Sequence, residues 1–215
     1  LQYMKDWAMK ENDPLQKAVL MFLSGYYKLE AGPEEMDSVL YYFNRSVKEK
    51  EVLLSVSAVD FRPMTEIGKW SQRYFGDNMY DLLLRQAIYQ LEMNGRSSKE
   101  VQCAVYEYYE KLLAQYKAVH NREAELLTRL NRLSYWQSRG WRYPQSVSDT
   151  QAVDLWKSWA ETYAGLDACA AVYICRADFY HQKQDFVSEM EVIEEGLKRY
   201  PHSEFAADLK DRQRI

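Results

Sequence analysis

Ala170 to Ser203 reads AAVYICRADFYHQKQDFVSEMEVIEEGLKRYPHS, and this stretch sets the expectation for the whole chain. In its second half Phe186, Met190, Ile193, Leu197 and Tyr200 step by four, three, four and three, which puts them on one helical face. Asp185 is placed to accept from the first free backbone N–H groups of that helix. Lys198 and Arg199 fall in its last turn, where cations suit the helix dipole, and Glu189, Glu191, Glu194 and Glu195 lie mostly on the other faces. Pro201 cannot continue the helix. The first half predicts a helix from about residue 168 to residue 182, with Ala168, Ala170, Ala171 and Ala177 small enough to let a neighbour approach closely.

The two helices with their polar turn resemble a tetratricopeptide repeat, a hairpin of about 34 residues. Aligned on Pro201, Tyr173 takes the large aromatic position, Ala177 the small one and Tyr180 the first-helix tyrosine. Ile193 then takes the second-helix aromatic position and Gly196 a further small one. Two residues depart from the pattern: Arg176 stands where a leucine is usual and Glu189 where an alanine is usual. The resemblance implies a groove face carrying Ala171, Ile174, Asp178, His181 and Gln182, whose polar end would suit a peptide.

Similar spacing continues toward the amino terminus. Asp13-Pro14 opens a helix with Leu15, Ala18, Val19, Phe22, Leu23 and Tyr26 as its apolar stripe, and Gly32-Pro33 closes it. Met36, Val39, Leu40, Phe43 and Val47 mark the next helix, before the solvated run 48–51. Residues 55–63 read as a loop turning Val56, Val59 and Phe61 inward, and 65–74 as a short helix. Asp77 is the expected cap of a helix bearing Tyr80, Leu83, Leu84, Ala87, Ile88 and Leu91. Ser97 and Glu100 have capping-box spacing before a long stripe from Val101 through Tyr108 and Tyr116 to Val119. Leu126, Leu130 and Leu133 mark another helix, and residues 141–148 a break. Ser148 and Gln151 form a second capping box ahead of Val153, Trp156, Ala160 and Tyr163, and Ser203 is the expected cap of a short last helix with Ala206 and Leu209. The fold expected is all-α: about ten helices in an irregular right-handed array of antiparallel hairpins, a tetratricopeptide-like α-α superhelix forming a single helical-repeat domain over 1–215.

Composition narrows the function. At 215 residues with 47% hydrophobic and 28% charged residues the chain is globular, and a net charge of −4 argues against general nucleic-acid binding. The 18 tyrosines and 6 tryptophans read as core filling between helices, with a carbohydrate or peptide surface as the minority use. Cys103, Cys169 and Cys175, an odd number without disulfide spacing, read as free and mostly buried thiols. His120, His181 and His202 lack metal-ligand spacing, and the methionines, including Met21, Met36, Met64, Met79, Met93 and Met190, fit core filling; no cofactor is expected. Hydrolase and phosphate-loop signatures are absent, and the paired carboxylates Glu34-Glu35 and Glu194-Glu195 diverge on their helices. The loop Arg139-Gly140-Trp141-Arg142-Tyr143-Pro144 joins arginines and aromatics as binding anchors do, which makes Trp141, Arg142 and Tyr143 candidate partner contacts beside Asp178, His181 and Gln182.

A second resemblance rests on Arg73-Tyr74-Phe75-Gly76-Asp77-Asn78-Met79-Tyr80-Asp81-Leu82-Leu83-Leu84-Arg85-Gln86-Ala87 and on the segment from Asp167 to Arg212. Both resemble the helical N-terminal region of large α2-macroglobulin-like proteins of Bacteroidetes-type bacteria. The resemblance implies a non-enzymatic scaffold or interaction module, part of a larger periplasmic or surface protease trap, whose partners are its own downstream domains or a protein or peptide. The start at Leu1 and the end at Ile215, without leader, apolar span or tail, lead to the same expectation of a piece of a larger protein. The family's thioester Cys-x-Glu-Gln has no counterpart at Cys103, Cys169 or Cys175, so no trapping chemistry falls on these residues. The alternative reading is the helical part of a carbohydrate-binding outer-membrane lipoprotein, motivated by the aromatic content. An enzyme is the third, and requires a deep pocket with convergent ionisable groups.

Overall fold

The computed structural model describes residues 6–7, 9–32, 35–59, 72–94, 98–138 and 147–213. Among them the protein is all-α: ten helices run from Pro14 to Gln213, residues 6, 7, 9 and 10 are helical as well, and no strand occurs. The contacts divide the chain into two compact units, 1–115 and 116–215.

In the first unit α1 (Pro14–Ala31) starts where the sequence marks it: the Asp13 carboxylate accepts from the Gln16 N–H, and Pro14 occupies the first turn, where its missing N–H costs nothing. α2 (Met36–Ser46) folds back along α1. Lys28 pairs with Glu35 near the turn, and the Phe22 and Phe43 rings stack 5.3 Å apart farther along. The buried side of α1 is Ala18, Met21, Phe22, Gly25 and Leu29, so Leu15, Val19, Leu23 and Tyr26 are only half-buried. α3 (Lys50–Leu54) is one short turn anchored by the buried Leu53.

Residues 55–59 are non-helical as expected, but the inward packing differs. Ala58 is buried, while Val59 is exposed and Val56 half-buried, because the Val56 carbonyl accepts from the Met79 N–H and fixes the backbone the other way. Phe61, and the residues 65–71 of the expected short helix, lie outside the described residues; 72–74 form a 3₁₀ turn. α4 (Met79–Asn94) buries Tyr80, Leu83, Leu84, Ala87, Ile88 and Leu91 as its spacing predicts. Its cap is Asn78, whose side-chain oxygen accepts from the Asp81 N–H; Asp77 instead accepts from the Ser57 hydroxyl. Likewise α5 (Lys99–Ala118) is capped by Ser98, which accepts from the Val101 N–H. Ser97 lies outside the described residues. The stripe Val101, Val105, Tyr108, Leu112, Tyr116 is buried, but Val119 is past the helix end and exposed. Met21 and Met79 fill the core, whereas Met93 is exposed; Met64 lies outside the described residues.

The second unit holds α6 (Arg122–Ser138), α7 (Asp149–Thr162), a 3₁₀ turn (Asp167–Cys169), α8 (Ala170–Gln182), α9 (Phe186–Arg199) and α10 (Ala206–Gln213). Ser148 and Gln151 form the full capping box at the start of α7. Asp185 caps α9 through the Ser188 N–H, and this bond together with one from the Ser188 hydroxyl holds its carboxyl below the usual range. Ser203 does not cap α10 at its first residue; its hydroxyl accepts from the Phe205 N–H and donates to the Asp167 carbonyl, pinning the turn before α10 to the 3₁₀ turn before α8.

α8 is not amphipathic in its first half. Residues 170–175 and Ala177 are all buried, because α6, α7, α9 and α10 each pack on it. A helix enclosed on several sides needs apolar residues on all of them. α9 is rotated from the expected face. Its buried residues are Glu189, Val192, Ile193 and Gly196; Phe186 is exposed, and Met190 and Leu197 are half-buried. At 3.6 residues per turn the two faces differ by roughly 70°. Gly196 explains the rotation. A Cβ there would lie 2.8 Å from the Tyr173 Cβ and 2.9 Å from a Leu209 methyl, so α9 turns its one hydrogen-only position toward α8.

Gly196→Ala should therefore destabilise the protein by about 1–3 kcal/mol, the usual cost of overpacking, against a gain of about 1 kcal/mol in helix propensity. Ile193→Ala should cost roughly 2–5 kcal/mol, Leu197→Ala distinctly less, and Glu191→Ala less than about 0.5 kcal/mol. Urea denaturation of the four variants measures this, and equal costs for Ile193→Ala and Leu197→Ala would contradict the rotation.

Candidate functional site

The polar face expected on α8 is split by the packing. Ala171 and Ile174 are fully buried, so the first half of that face is closed by neighbouring helices and lines no groove. Asp178, His181 and Gln182 follow at its open end. Asp178 is half-buried and forms an ion pair with Arg212 of α10 at 2.6 Å. His181 donates through Nδ1 to the Glu189 carboxylate of α9, with oxygens at 2.9 and 3.2 Å, and the ring stands edge-on to Phe186 at 5.8 Å. Gln182 is exposed. Trp141, Arg142 and Tyr143 lie outside the described residues.

Two charged residues at the α8–α9 interface, Glu189 and Arg176, organise this region. Glu189 is buried, with its carboxylate bonded by His181. Arg176 lies on the side of α8 that faces α9. Its side chain is 11% exposed, and it faces Glu195 of α9 at 3.5 Å and the Tyr173 ring at 5.5 Å. Glu195 also accepts from the Tyr173 hydroxyl at 3.3 Å and pairs with Arg199 at 3.0 Å. The sequence carried a signal for both pairs: a charged residue at a packing position requires a hydrogen-bonding or oppositely charged partner on the facing helix, since a buried charge without one is strongly disfavoured. Glu195 is accordingly not on the solvated side with Glu191.

A second polar group surrounds Tyr200. Its hydroxyl accepts from the Gly165 N–H at 3.4 Å, and its ring lies 5.9 Å from that of Tyr173. Burial, with a smaller contribution from the neighbouring Cys169 thiol, pushes the Tyr200 phenol up to about 12. Burial and then the Glu195 carboxylate push that of Tyr173 up to about 12. Cys169 is buried with its thiol 3.7 Å from the Ala160 carbonyl, and burial raises it above the ordinary thiol value, away from nucleophilic use. Cys175 is also buried and Cys103 half-buried; none of the three is in a disulfide. The described residues hold no group of three or more His, Cys, Asp or Glu suited to a metal ion, and no helix among them is long and apolar enough to cross a membrane. Chemically, the α8–α9 end offers an exposed imidazole tied to a carboxylate, a primary amide, and the exposed side chains of Phe186 and Val187. Comparison with family models, curated proteins and solved structures found no match.

Three outcomes follow from these contacts. Arg176→Leu should be neutral or stabilising in urea, because Arg176 Nε is buried without a hydrogen-bond partner and Glu195 keeps Arg199 and Tyr173. Glu195→Ala should cost about 1–3 kcal/mol, because it strands Arg176 in the interior. The reverse order would remove the pair from any structural role.

For Tyr173 and Tyr200 the folded state favours the neutral phenol. That contribution is fully present below the unfolded phenol value, about 10, and is lost as pH rises through the folded value. Absorbance at 295 nm and helical CD followed together should show these two phenols ionising only as the helices are lost, near pH 12. Complete ionisation of all tyrosines by about pH 11 with the helices intact would contradict this.

Thiol labelling of the native protein should modify Cys103 first, with Cys169 and Cys175 reacting only on denaturation. Rapid labelling of all three would contradict the burial.

Proposed function

We propose that the chain is a non-enzymatic helical scaffold that acts by contact with downstream domains of a larger α2-macroglobulin-like envelope protein. The observation that carries the scaffold reading is the use of charge around α8. Arg176, Asp178 and His181, the arginine, aspartate and histidine of that helix, each engage a carboxylate or guanidinium of a neighbouring helix. Through these contacts the polar side chains of α8 tie it to α9 and α10, as those of a scaffold helix would. The likeness of residues 73–87 and 167–212 to the helical region of that family supports the larger setting, with the intact protein in the periplasm or at the cell surface.

The carbohydrate-platform alternative draws less support. It rests on the exposed rings of Trp7, Tyr27, Tyr41 and Tyr89, whereas Tyr42, Tyr80, Tyr108, Tyr116, Tyr173 and Trp156 are buried, and rings inside a core cannot stack on a sugar.

The test is cross-linking of the intact protein in its native membrane fraction, read by mass spectrometry. Lys183 and Lys198, exposed on the α8–α9 hairpin, should give cross-links to sequence beyond residue 215 or to a second protein. Cross-links confined to residues 1–215, or a catalytic activity abolished by His181→Ala in a folded variant, would overturn the reading.

A further inference from the structure

We draw no further inference here: the strongest candidate, the exposed Phe186–Val187 patch beside His181 at the α8–α9 turn, is an unpartnered apolar face, and nothing in the structure shows what covers it.

Discussion

At Gly196 the backbone of α9 comes so near to Tyr173 that no side chain fits between the two helices. This close approach fixes the rotation of α9 about its own axis, and much of the second unit follows from it. With Gly196 turned inward, Glu189 and Glu195 lie toward α8 as well, one on each side of Ile193 along the helix. Two carboxylates drawn toward an apolar interface need hydrogen-bond partners there. His181 and Arg176 supply the partners, and Tyr173 adds a hydroxyl. The same rotation leaves Phe186 outside, although its spacing belongs with the core residues.

Ionic pairing of this kind holds a register more than it adds free energy. Desolvation offsets most of the attraction between buried charges, whereas the loss of one partner leaves the full penalty on the other. Each pair at the α8–α9 interface therefore penalises sliding of one helix along the other. The tie between Ser203 and the Asp167 carbonyl does the same for the turn before α10, and Arg212 closes that helix onto Asp178. The hairpin is thus held at its closed end by His181 and Glu189, in its middle by Arg176 and Glu195, and against the last helix by Asp178 and Arg212. These contacts engage Asp178 and His181, two of the polar residues at the open end of α8.

The first unit uses the same devices with different residues. Gly25 lets α1 approach Phe43 and Tyr42 of α2. The fully buried Asp81 accepts from the Gly76 N–H and from Arg85 of its own helix, and the Arg85 guanidinium lies over the Phe75 ring at 4.6 Å. That carboxylate helps hold the turn before α4. Tyr108 and Tyr109, next to each other on α5, donate to Asn44 and Glu92, so two phenols enter the core with their hydroxyls satisfied.

The sequence by itself determined the helices. Their period, the cap at Asp13, the capping box at Ser148 and Gln151, the cap at Asp185 and the stop at Pro201 are local features, settled by residues within one turn of each other. The burial of Leu126, Leu130, Leu133 and Ile193 followed from that period. Where two polar neighbours compete for one cap, as with Asp77 and Asn78, local reading does not separate them, because the choice depends on the Ser57 hydroxyl twenty residues away. Tertiary structure decided which side of each helix faces its neighbours. A hydrophobic stripe on α9 names a preferred direction, but the closest approach is set by the residue with no side chain, and that direction differs from the stripe. The candidate site was legible only in part: Asp178, His181 and Gln182 are where helical spacing puts them, at the open end of α8. That Ala171 and Ile174 are enclosed, and that Glu189 and Arg212 become the partners of His181 and Asp178, depends on helices packing around α8, which no local pattern encodes.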